Sequence, residues 1–192
     1  MDELYKFGVK LYVETTGDLA LTDLIPVYHR WIQRHAVPGM LIDVADYSHV
    51  HDGPGVLLIA HEGNYGMDDT NGKRGMLYYQ KRPLEGNAVE RLTTVCRNAL
   101  QACRLLEQDP ELNGAIRFRA DRLRIIANDR LLAPNDQATQ QSMMTLLPEL
   151  LDNLYQGDYS MAVEPDGRER FAVDVDAAEP VSVDELLNRL AA

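Results

Sequence analysis

The chain has 192 residues, 45% of them hydrophobic and 26% charged, with a formal net charge of −11. That is enough chain to bury one real core. The charge repels phosphate backbones and anionic lipid, so nucleic-acid and membrane-surface binding are not expected, and no stretch approaches the roughly 18 apolar residues of a membrane span.

The opening stretch MDELYKFGVKLYVE is acidic and then alternating. Without an apolar h-region it does not read as a signal peptide, and a cytoplasmic protein is expected. Phe7, Val9, Leu11 and Val13 alternate with Lys6, Gly8, Lys10 and Tyr12, the period of a half-buried strand. Asp23 is placed to cap a helix running to about His35, with Pro26 tolerated in its first turn. Its apolar stripe is Leu24, Ile25, Tyr28, Trp31, Ile32 and His35, and VPG at 37–39 ends it.

Three strands are expected next, at about 40–50, 56–68 and 74–82. DGPG at 52–55 separates the first two, and Asn71-Gly72, a strong hairpin signal, the last two. Gly63 and Gly66 interrupt the middle strand, which suggests a bulge or a close approach. Asn87 and Glu90 form a capping-box start for a helix to about Gln108, closed by Asp109-Pro110. Cys96 and Cys103 lie about 10 Å apart along that helix, too far to pair. They read as buried small hydrophobes in a reducing compartment.

The second half echoes the first. RLRIIAND (122–129) is strand-like and similar in pattern to VKLYVE (9–14). TLLPELLDNLYQ (145–156) parallels DLIPVYHRWIQ (23–33), each with a proline after two aliphatics. Pro148 should kink or split the helical stretch Asn135–Tyr155 near Thr145. Strands at about 159–164 and 169–175 flank Asp166-Gly167, and Ser182 with Glu185 starts a C-terminal helix.

The expected fold is α+β. Two related β-α-β-β(-β) units, residues 1–86 and 114–192, are joined by a linker helix in 87–113. They form one compact domain with a largely antiparallel sheet, helices packed on it and a cleft between the halves. Val56, Leu58, Ala60, Leu77 and Tyr79 make the sheet apolar on both faces, so each face needs a cover and a homodimer is one way to supply it.

Three of the five histidines fall in YSHVHDGPGVLLIAHEGNY (47–65). With Gly53-Pro54 as a two-residue loop, His51 faces Val56, His49 faces Leu58, Asp46 faces His61 and Ala45 faces Glu62. Side chains alternate between faces, so His49 and His51 are separated from His61 and a three-histidine metal site fails. A loop one residue longer or shorter would bring His49 and His61 together. Asn71-Gly72 sets Tyr65 against Tyr78, Met67 against Met76 and Glu62 against Lys81.

One sheet face then carries a candidate binding site of Asp46, His61, Tyr65, Tyr78 and Gln80 in an apolar wall, with Asp46 beside His61. Ser48 shares the face but sits mid-strand, with no nucleophile elbow. Arg117, Arg119, Arg122, Arg124 and Arg130 are expected to face water or to pair with acids of the tail, where residues 158–192 hold nine Asp/Glu against three Arg. No phosphate loop, Cys-x-x-Cys or other cofactor motif is present.

The leading expectation is a protein without catalytic motif, cofactor or metal that binds a small molecule or a protein partner. A hydrolase using the His61 and Asp46 pair, or a metal at His49 and His61, is the second. An acidic scaffold that docks a basic partner through its C-terminal part is the third.

Overall fold

The computed structural model describes residues 3–15, 19–50, 53–163 and 166–191. Among them, eight strands form one antiparallel sheet, accompanied by four α-helices, an α+β architecture. In chain order the elements are β1 (Phe7–Thr15), α1 (Leu24–Arg34), β2 (Leu41–Tyr47), β3 (Gly55–Ala60), β4 (Gly63–Asp68), β5 (Gly75–Gln80), α2 (Ala88–Glu107), β6 (Arg117–Ala127), α3 (Gln137–Tyr155), β7 (Tyr159–Val163), β8 (Ala172–Ala177) and α4 (Val183–Arg189). The sheet order is β2-β3-β4-β5-β1-β6-β8-β7. β1 and β6 are therefore central neighbours. Each leads into a helix and then into a meander that returns to it, through β2 to β5 on one side and β7 to β8 on the other.

Period-two patterning decides which side of the sheet is buried. Phe7, Val9 and Leu11 of β1, Met76 and Tyr78 of β5, and Leu123 and Ile125 of β6 share one core with the apolar stripes of all four helices. α2 lies deepest, with Leu92, Val95, Cys96, Ala99, Leu100, Ala102, Cys103 and Leu106 all buried. The two cysteines are unpaired and buried, as their spacing implied. On the other face, Leu77, Ile126 and Ala172 form a small cluster with Tyr79 and without any helix residue. The expectation that both faces need a cover is thus met on one face only within the described residues. No helix among them is long and apolar enough to cross a membrane.

The helix termini follow local chemistry. Asn87 and Glu90, and Ser182 and Glu185, form the expected capping boxes. Asp23 departs from its expected role: its carboxylate accepts the Ala20 N–H and holds the preceding turn. Pro148 does not split α3, which runs unbroken from Gln137 to Tyr155. A helical proline costs about 3 kcal/mol. The burial of Met143, Leu147, Leu150, Leu151 and Leu154 on the same helix outweighs it.

Two strand assignments need correction. The expected middle strand 56–68 is a hairpin, β3 and β4, turning at His61-Glu62 with Val56 opposite Met67. Histidine and glutamate are not turn residues by propensity. The turn is held by tertiary bonds: Glu62 accepts the Met40 N–H (2.7 Å), and the His61 N–H donates to the Met40 carbonyl (2.9 Å). The second correction is the β2–β3 register. A turn closed by Val50 N–H on the Tyr47 carbonyl (2.9 Å) ends β2 at Tyr47. Asp46 then faces Val56, five residues from the expected His61. An odd slip sends every side chain to the other face. The Asn71-Gly72 register is as expected: Tyr65 faces Tyr78 and Met67 faces Met76.

Candidate functional site on the uncovered sheet face

The uncovered face is built from cross-strand rows. One row reads Gly66, Leu77, Lys10, Arg124, Asp174 across β4, β5, β1, β6 and β8. The next reads Asp68, Gly75, Tyr12. Lys10 and Asp68 are two strands apart, yet they form an ion pair. Gly75 makes this possible: a Cβ there would stand 2.8 Å from Lys10 Cε and 3.0 Å from its Cγ, so the lysine stem lies across a position that must have no side chain.

The pair is deep for an open face, with Lys10 4% and Asp68 8% exposed. Burial lowers the Lys10 pKa, and Asp68 opposes that shift. The Thr70 hydroxyl donates to the other Asp68 oxygen (2.7 Å). Of the three ammonium N–H donors, Asp68 takes one.

A second network abuts the first. Tyr12 donates to Asp174 (3.0 Å), and Arg124 Nη1 donates to the other Asp174 oxygen (2.7 Å). Burial, followed by the neighbouring Asp174 charge, pushes the Tyr12 hydroxyl up to about 12. The Tyr12 ring lies between Lys10 Nζ (5.6 Å) and the Arg122 guanidinium (5.3 Å), both at cation–π range. Arg122 pairs with Asp176 (3.2 Å) and Arg119 with Asp121 (2.8 Å). Three of the five arginines are thus spent on acids, two of those acids in the tail.

Between these networks runs a groove of about 130 Å³. At about 30 Å³ per water, that is room for about four waters. It crosses β1 and β6, from Asn71 and Lys73 in the β4–β5 loop to Glu169 and Arg170 before β8. Its lining has four cations, Lys10, Lys73, Arg124 and Arg170, against two carboxylates, Asp68 and Glu169. Lys10 and Arg124 are committed to Asp68 and Asp174. Arg170 bonds the neutral Asn128 side chain, and Lys73 has no carboxylate partner among the described residues.

The expected site does not assemble. Asp46 and His61 lie at opposite ends of the β2–β3 hairpin, roughly 16 Å apart along the strand at about 3.3 Å per residue. Asp46 instead accepts the Ser48 N–H (2.8 Å), and side-chain and backbone bonds from Ser48 lower its pKa. His49 follows β2 at the end remote from His61, so the metal arrangement at these two fails as well. His51 lies outside the described residues. No group of three or more His, Cys, Asp or Glu able to hold a metal stands among those described.

Tyr65, Tyr78 and Gln80 do come together, beneath the helices. The two rings are 4.5 Å apart. Tyr65 donates to the Pro38 carbonyl (2.9 Å), Tyr78 to Gln80 Oε1 (2.6 Å), and Gln80 Nε2 to the Arg82 carbonyl (2.9 Å). Burial pushes the Tyr78 hydroxyl up to about 12 and Tyr65 further. Their polar atoms are satisfied within the core.

Sequence reasoning missed Lys10, Tyr12, Asp68 and Asp174. Lys10 and Tyr12 look like solvated strand residues until β1 is known to be central. The available signal was the glycine pair Gly8 and Gly75 on neighbouring strands. Comparisons with protein-family models, with curated proteins and with solved structures found no match.

Proposed function

We propose that this chain is a non-catalytic binding protein that takes a small organic anion into the groove across β1 and β6. The supporting observation is the excess of cations along that lining, ending in Lys73 and Arg170, in a chain whose net charge is −11. The global field opposes an anion at long range, but charges beyond about 8 Å are screened at physiological salt, so the local cations decide binding. The groove crosses β1 and β6, the two central strands of the sheet. Its floor is preorganised by two ion pairs and a tyrosine, so binding orders little. The same reading places the protein in the cytoplasm, consistent with two unpaired thiols.

Titration calorimetry and thermal shift with citrate, glutarate, succinate and adenosine monophosphate test this, with spermidine as the cationic control. At least one anion should bind with Kd of about 1 mM or tighter, and K73A/R170A should weaken it about tenfold. No binding by any of the four, or binding indifferent to K73A/R170A, overturns the reading.

A further inference from the structure

β2 is an outer strand of the sheet. Around it Met40, Ile42, Tyr47 and Val50 are exposed at 65%, 56%, 42% and 44%. Between Arg34 and Lys73 the sequence has no Lys or Arg, but it has six carboxylates: Asp43, Asp46, Asp52, Glu62, Asp68 and Asp69. Asp43 and Asp46 are exposed on the strand itself. Bare edges are usually guarded by lysine, proline or a covering loop. Here Asp43 accepts the Val44 N–H (2.8 Å). That N–H is not spent on β3, and a local carboxylate stands in for the missing strand.

We infer that the β2 edge docks an extended segment of a partner protein in which Lys or Arg alternates with apolar residues. The segment adds as a further strand, with main-chain bonds giving affinity and alternate side chains giving specificity. A cation on the segment draws Asp43 off the Val44 N–H, which then meets a carbonyl of the incoming strand. Apolar residues cover Met40 and Ile42. Asp43 pairs with Ile59 and Asp46 with Val56, so the two carboxylates lie on opposite faces of the sheet; Asp46 does not meet the same row of cations but adds to the acidic field that draws them. The acidic edge repels acidic segments and steers basic ones. A second copy of this chain fits poorly, because antiparallel pairing of two β2 edges through their centres puts Asp43 and Asp46 of both copies opposite or diagonal to one another. The edge is four strands from β1, so this inference stands apart from the groove.

The probe is a fluorescein-labelled seven-residue peptide of alternating Lys and Val, measured by fluorescence anisotropy on the full chain at physiological salt. Its analogues carry Glu for Lys, or Pro for the central Val. The Lys peptide should bind with Kd of about 100 μM or tighter, the Pro analogue about tenfold more weakly, and the Glu analogue not at all. D43N/D46N removes both charges but keeps an amide oxygen in reach of the Val44 N–H. It should weaken binding about tenfold, while K73A/R170A leaves binding unchanged. Equal binding of the Lys and Pro peptides, binding unaffected by D43N/D46N, or no binding at all overturns the inference. So does a dimer in sedimentation equilibrium that Ile42→Lys dissociates, since that assigns the edge to a second copy.

Discussion

Asp174→Ala removes the acceptor shared by Tyr12 and Arg124 beside the groove. The Arg124–Asp174 pair is half-buried, with side-chain exposures of 27% and 16%. Burial penalises the Arg124 charge, yet its pKa is raised, because Asp174 and Tyr12 together outweigh that penalty. At an effective dielectric of about 20, unit charges 4 Å apart attract by about 4 kcal/mol before desolvation. Exposed pairs retain about 0.2–1 kcal/mol, and breaking a fully buried pair costs about 3–5. Asp174 lies between these limits and also accepts the Tyr12 hydroxyl, so Asp174→Ala should cost about 2 kcal/mol.

Urea unfolding at pH 7 reads this as a lower midpoint with unchanged slope. In a double-mutant cycle with Arg124→Met, the coupling should be about 1 kcal/mol. A cost below about 0.5 kcal/mol with no coupling would refute the reasoning and return the network to the status of surface charge. A pH arm isolates Tyr12. Its folded pKa, about 12, exceeds the ordinary 10.0. The stabilisation is therefore complete below pH 10 and is lost as pH rises toward 12. Tyr12→Phe should flatten that alkaline loss relative to wild type.

Glu107 is partly buried and its pKa is raised by burial, although its carboxylate accepts the Phe118 N–H (2.9 Å). A raised acid favours the fold when protonated and loses that contribution as pH climbs past the folded value. Glu107→Gln should therefore raise the thermal midpoint at pH 7, with the gain vanishing near pH 4; a gain constant with pH argues against burial as the cause. Burial pushes the Cys96 thiol up to about 12 and Cys103 well above its usual value. Neither should react with a thiol reagent at pH 8 until urea unfolds the chain, and rapid labelling of the native protein would contradict the packing of α2. Gly55 has φ +67°, and a Cβ there would overlap the Met67 carbonyl. Gly55→Ala should cost about 1–3 kcal/mol in the same urea assay, and a neutral result would mean that the β3–β4 pairing is misplaced.

Legibility varied with the range of the interaction that sets each feature. The capping boxes at Asn87 and Ser182, the alternation of β1 and the hairpin register around Asn71-Gly72 were readable because the deciding atoms lie within a few residues of one another. The turn at His61-Glu62 was not, since its anchor is Met40, remote in sequence. The slip between β2 and β3 followed from the early turn at Tyr47, and it carried the candidate pair of Asp46 and His61 with it. Of the five expected site residues, Tyr65, Tyr78 and Gln80 lie together, but in the closed core, where their hydrogen bonds support the sheet. The arginines of β6 behaved as expected where Arg122 and Arg124 met Asp176 and Asp174.

The chain by itself determined its class, the starts of α2 and α4 and the inward face of β1, because periodicity and capping are properties of neighbouring residues. Strand order was a tertiary decision. Placing β1 between β5 and β6 made Lys10 and Tyr12 the floor of a groove, and leaving β2 outermost made Asp43 and Ile42 an open edge. Neither outcome is encoded in a local pattern, because both depend on which distant strands supply the missing backbone partners.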